Sequence, residues 1–83
     1  MEIRVRLFAM ARQLAGRDTI VLDLPRTAMV RDLRARLVEQ CPALSRIVPQ
    51  SLIAVNSEYA GDEFVLGGAT EVGCIPPVSG GLQ

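Results

Sequence analysis

Residues 2–8, EIRVRLF, alternate without a break: Ile3, Val5 and Leu7 share one face, and Arg4, Arg6 and Phe8 share the other. A period of two describes a strand with one buried face and one wet face. Such a strand cannot stand alone. Its backbone needs a neighbouring strand, and its apolar face needs a cover. The chain must supply both within 83 residues, so one domain with a thin core is expected.

Both are legible further along. Residues 19–24, TIVLDL, alternate again, with Ile20, Leu22 and Leu24 on one face and Pro25 as the stop. Between the two strands, AMARQLAG reads as a short helix closed by Gly16. The cover is a longer helix. Thr27 is its expected N-cap, and Val30, Leu33, Leu37, Val38 and Cys41 form an apolar stripe that Leu44 could extend; Pro42 ends or bends the helix. Arg31, Asp32, Arg34, Arg36 and Glu39 lie outside the stripe and read as a solvated face, with Asp32 and Arg36 spaced as an i, i+4 ion pair. SLIAV (51–55) reads as a buried strand, Asn56 and Ser57 as a turn, and EYA as a short return strand. GDEFVLGGAT is expected to be a loop with Phe64 and Leu66 tucked beneath it, and EVGCI the last strand, halted by Pro76 and Pro77.

This order implies an α+β roll: a mixed sheet with one long helix packed across it. It fits the β-grasp arrangement, in which the first and last strands pair side by side in the sheet centre. Residues 1–77 would form that domain, and 78–83 a flexible C-terminal Gly-Gly tail with a two-residue extension.

Composition narrows the chemistry. The chain has no His, which excludes imidazole catalysis and His-ligated metal sites. Its two cysteines, Cys41 and Cys74, have no metal-ligand spacing and read as buried free thiols of a reducing cytoplasm. Two cysteines also cannot hold an iron–sulfur cluster that needs four. No apolar run reaches transmembrane length, and the charged, alternating N-terminus is no signal peptide. Nine arginines balance nine acids, which argues against a basic grip on nucleic acid. The charges are uneven, however. Residues 1–46 hold all nine arginines and five acids, a net +4, and residues 47–83 hold four acids and no base, a net −4. Either the fold interleaves the two halves, or the C-terminal half presents an acidic surface that steers a basic partner.

The chemistry is expected in the segment IPPVSGG. Pro76 and Pro77 stiffen the exit from the last strand and favour extended backbone. Val78, Ser79, Gly80 and Gly81 then span about 13 Å at most. Two glycines carry no Cβ, so this thread fits a narrow channel. A frayed end is the competing reading, because glycine-rich termini commonly fray. The two prolines weigh against it, since a frayed end needs no stiffening.

EVGCIPPVSGG resembles the C-terminus of the small subunit of molybdopterin synthase, the MoaD type of ubiquitin-like sulfur carrier. RVRLFAMARQLAG, TAMVRDLRARL and LIAVNSEYA resemble that family's first strand and helix, its long-helix start and its Val-Asn strand end, in the same order. The resemblance covers nearly the whole chain. It implies that the carboxylate of Gly81 is adenylated by a MoeB-type E1-like enzyme using ATP and then converted to a thiocarboxylate. The thread would enter a MoaE-type large subunit, in a heterotetramer, and give its sulfur to cyclic pyranopterin monophosphate. The carrier would bind no cofactor and supply no acid or base. Family members dock through an apolar patch near the tail, and the matching positions are Phe8, Tyr59 and Ile75.

One departure matters. In the family the second glycine is terminal, whereas here Leu82 and Gln83 follow Gly81. An amide carbonyl cannot be adenylated. The favoured account is a precursor that a peptidase cuts after Gly81; the others are that the two residues are a cloning remnant, or that the chain has kept the fold as an interaction module without sulfur chemistry. A carrier for thiamine, cysteine or a secondary metabolite, activated by trimming, is the nearer alternative.

Overall fold

A computed structural model describes residues 1–69 and 71–77. Along the chain run β1 (Glu2–Leu7), α1 (Ala9–Ala15), β2 (Thr19–Asp23), α2 (Val30–Gln40), β3 (Leu52–Val55), β4 (Glu58–Tyr59) and β5 (Glu71–Ile75), with short 3-10 turns at Pro42–Leu44 and Val48–Gln50. The strands form one sheet in the order β2-β1-β5-β3-β4. β1 pairs antiparallel with β2 and parallel with β5, while β3 pairs antiparallel with both β5 and β4. The first and last strands therefore lie together at the centre of a mixed sheet. This is the β-grasp roll, with α2 across one face.

The alternation in β1 and β2 produces that face. Ile3 stands opposite Leu22 and Val5 opposite Ile20, and all four are buried. α2 covers them with Val30, Leu33 and Leu37, and Leu44 and Val48 from the 3-10 turns close the core. Burying each such side chain is worth about 1.5–3 kcal/mol. Val38 packs at the margin. Gly16 ends α1 in the left-handed region at φ 73°, with its N–H bonded to the Arg12 carbonyl, as its lack of a Cβ allows.

Several local expectations are corrected by long-range contacts. Thr27 does not cap α2. The cap is Met29, whose backbone N–H donates to Asp32 Oδ2 at 2.8 Å. The next two free amides, of Val30 and Arg31, donate to the carbonyls of Phe64 and Asp62, both at 3.0 Å. Residues 62–66 thus satisfy the helix start from across the chain, and a side-chain cap is not needed there. Because Asp32 is held at the cap, it does not pair with Arg36, which bonds Glu39 instead at 3.3 Å.

Arg34 does not belong to a solvated face. Its guanidinium donates to the carbonyls of Val48 and Ser51 at 2.6 and 2.8 Å and pairs with Asp62 at 2.8 Å. It clamps the segment between α2 and β3. Phe64 is not tucked under its loop but stands 49% exposed, while Leu66 is buried as expected. β3 is not a fully buried strand: Ile53 and Val55 face the core and Leu52 faces out. Cys41 is only half-buried, whereas Cys74 is fully buried. The charge halves do interleave, since Arg34 and Asp62 come from opposite ones.

Candidate functional site

The site is built around the end of β5. After Ile75 the chain passes through Pro76, which is buried, and Pro77, which is exposed. Proline fixes φ, and burial anchors Pro76, so the exit leaves the domain in a set direction. The expected thread residues Val78, Ser79, Gly80 and Gly81, and the following Leu82 and Gln83, lie outside the described residues.

Beside this exit lies the outer face of the sheet. The register sets Arg6 opposite Gly73, Gly73 opposite Ala54, and Ala54 opposite Tyr59. These four residues form one row across β1, β5, β3 and β4. Leu52 and Ile75 form the adjacent pair. Phe8 is 41% exposed, Leu52 50% and Tyr59 70%, and Ile75 is half-buried. Between them runs a shallow groove of about 340 Å³, lined by Arg6, Phe8, Tyr59, Glu71, Gly73 and Ile75 among others. The structure therefore brings Phe8, Tyr59 and Ile75 to one face, next to the point where the tail departs. Exposed aromatic and aliphatic side chains gathered on one face are a sign of an interface.

Local backbone choices aim the two aromatics. Ala9 sits in the left-handed region at φ 51°, which costs an alanine about 1–2 kcal/mol. That turn separates β1 from α1, and the Phe8 N–H donates to the Cys74 carbonyl at 3.3 Å. A Cβ on Gly73 would lie 3.3 Å from Phe8 Cε2. The missing side chain thus lets the ring lie close against the β5 backbone. Over the same ring stands Arg6, its Cζ 5.7 Å from the centroid, within cation–π range. Tyr59 is delivered by a two-residue turn in which Asn56 and Ser57 both have positive φ, 51° and 72°, as a tight hairpin requires.

One strand position inward, Cys74 faces the core. Burial pushes its thiol pKa up from 9.0, and the Ser51 hydrogen bond and the Arg34 charge only partly oppose this. A thiol held protonated and fully buried is a poor nucleophile, so Cys74 reads as core rather than chemistry.

Alternation alone set Arg6 on the Phe8 side of β1, but Leu52 and Gly73 were not legible as parts of this face. In β3 the unbroken apolar run LIAV hides the period of two that turns Leu52 outward. The placement of Arg6 and Gly73 depends on the β1–β5 register, which no local pattern encodes. Phe64, the third aromatic, does not line the groove. Among the described residues, no helix is long and apolar enough to cross a membrane.

The model of the ThiS family matches residues 5–81. The chain belongs to the ThiS family. The matched span takes in the face just described and ends at Gly81, leaving Leu82 and Gln83 beyond it. The molybdopterin synthase sulfur carrier subunit of Caenorhabditis elegans is 39% identical over 98% of this chain and 99% of its own length. Among solved structures, SAMP1 from Haloferax volcanii aligns with a TM-score of 0.84 at 29% identity, over 95% of this chain and 98% of that one. A Pyrococcus furiosus structure, described as a molybdopterin converting factor, subunit 1, aligns with a TM-score of 0.77 at 34% identity, over 94% and 99%. The family likeness thus spans the whole domain and its tail motif together.

Proposed function

We propose that this chain is the sulfur carrier subunit of a molybdopterin synthase, with Gly81 as the residue that bears sulfur. The observation that carries the reading is the juxtaposition at the end of β5. An anchored proline exit leads straight from an exposed apolar face into the family's glycine motif. A partner that grips the face is positioned to receive the thread. Full-length likeness to a protein named as such a subunit supports the pathway.

The chemistry follows from the carboxylate. A carboxylate oxygen is a poor leaving group until it is joined to phosphate. A MoeB-type E1-like enzyme would let the Gly81 carboxylate attack the α-phosphate of ATP, releasing pyrophosphate. A sulfur nucleophile then displaces AMP, and the thiocarboxylate enters a MoaE-type large subunit for transfer to cyclic pyranopterin monophosphate. The carrier's own residues bind and deliver. They hold no cofactor, and the acids and bases lie on the partners. A heterotetramer and a cytoplasmic location go with this assignment.

Gly81 is followed by Leu82, so the carboxylate exists only after the Gly81–Leu82 amide is hydrolysed. A peptidase is therefore part of the proposal. The test incubates the chain ending at Gly81, and the chain retaining Leu82 and Gln83, with the E1-like enzyme and ATP. Pyrophosphate release is expected only from the shorter chain. Release from neither leaves the fold as an interaction module. The likeness to SAMP1 favours one second reading, a protein modifier. In that case the activated Gly81 would end in an isopeptide bond to a lysine, which mass spectrometry of the cell's proteins detects.

A further inference from the structure

We propose that Arg6 selects the partner at the outer face, by pairing with a carboxylate on the protein that takes up the chain beyond Pro77. This rests on the docking role proposed above for Phe8, Tyr59 and Ile75. Arg6 is exposed at the β1 end of the row that runs through Gly73 and Ala54 to Tyr59. Its guanidinium lies over the Phe8 ring, 5.7 Å from the centroid, and that ring is seated close to Gly73. The charge is thus held against the aromatic part of the face, where a partner that covers Phe8 also covers it.

Among the described residues Arg6 forms no ion pair. The one carboxylate in the groove, Glu71, stands in register with Arg4 and does not pair with Arg6 either. In water this is harmless. Under a dry apolar partner it is not, because a desolvated guanidinium without an acceptor is strongly unfavourable. A partner that covers Phe8 and Tyr59 must therefore offer an acceptor to Arg6. A carboxylate matches the planar fork of donors better than any neutral group.

Chain continuity identifies the occupant. Ile75 belongs to the face, and the chain leads directly from it through Pro76 and Pro77 to Val78. The four residues Val78–Gly81 reach about 13 Å at most. A protein that acts on Gly81 must therefore come within that distance of the exit, which this face borders at Ile75. The occupant is a globular partner whose contact surface is apolar around one acidic side chain.

The test uses the MoaE-type large subunit from the same genome as the probe, and titrates it with the full chain at low and high salt. Arg6→Gln is expected to weaken binding about tenfold and to flatten the salt dependence, with Arg6→Glu weaker still. Arg6→Lys should recover part of the loss, because it restores charge without the fork. Tyr59→Ala should weaken binding while the salt dependence persists. If Tyr59→Ala weakens binding and all Arg6 variants stay within about twofold of the parent, a difference too small for a close charge pair, Arg6 has no such role and the docking reading survives. If neither position matters, the docking reading itself fails. A dimer of the chain alone, abolished by Tyr59→Ala, would also overturn the proposal: the face would then meet a second copy. Thermal unfolding of each variant separates lost binding from lost folding.

Discussion

The two faces of the sheet are made by the same strands and are fit for opposite purposes. On the inner face Ile3, Val5, Ile53, Val72 and Cys74 are buried beneath α2. On the outer face Phe8, Leu52 and Tyr59 remain open to water. A strand alternates between the two with every residue: in β5, Val72 and Cys74 face in while Gly73 and Ile75 line the groove. The inner side chains contribute stability through burial. The outer ones contribute little, since their area stays in water, and the docking proposed above would hide it. A domain this small has little stability to spare, and Phe8, Leu52 and Tyr59 exposed together on one face fit the docking role proposed above.

The contrast can be broken from either side. The largest effect on folding is expected on the inner side. Leu37→Ala should lower the unfolding free energy by about 2–5 kcal/mol in urea titration, with partner affinity unchanged under conditions where it stays folded. A loss below about 1 kcal/mol would mean that α2 does not seal the inner face as described.

Arg34→Met comes next. It leaves the carbonyls of Val48 and Ser51 without their donor, at a cost of about 1–3 kcal/mol. Asp62→Asn should cost less, because the two carbonyl bonds stay. If Asp62→Asn is the more damaging, the ion pair rather than the clamp holds this segment.

A smaller effect is expected from pH. Burial raises the Cys74 pKa above its ordinary 9.0, so above that pH the unfolded chain loses this proton before the folded one does. Stability from this group is then intact below pH 9.0 and falls as pH rises toward the folded value, by at most about 1.4 kcal/mol per pH unit. Denaturation at a series of alkaline pH values checks this, and Cys74→Ala should remove that part of the slope. In the native protein a thiol reagent should label half-buried Cys41 well before Cys74.

The smallest effect on folding belongs to the outer face. Tyr59→Ala should change the unfolding free energy by less than about 0.5 kcal/mol while weakening partner binding about tenfold or more. Equal losses in both measurements would erase the distinction between the faces.

The comparison also separates what each level of description decided. Period-two alternation in 2–8 and 19–24, the apolar stripe from Val30 to Leu37, Gly16 as a helix end and the Pro-Pro-Val-Ser-Gly-Gly run were all readable from the chain, and with them the β-grasp order. These are local signals, expressed over a few residues whatever surrounds them. Tertiary structure alone decided the rest. It replaced Thr27 with Met29 as the cap, because the carbonyls of Asp62 and Phe64 reach the start of α2. It drew Arg34 out of solvent onto two distant carbonyls. It aligned Arg6, Gly73, Ala54 and Tyr59 in one row from four separate strands. Each of these depends on the register between segments far apart in sequence, which is set by the closing of the whole core rather than by any stretch within it.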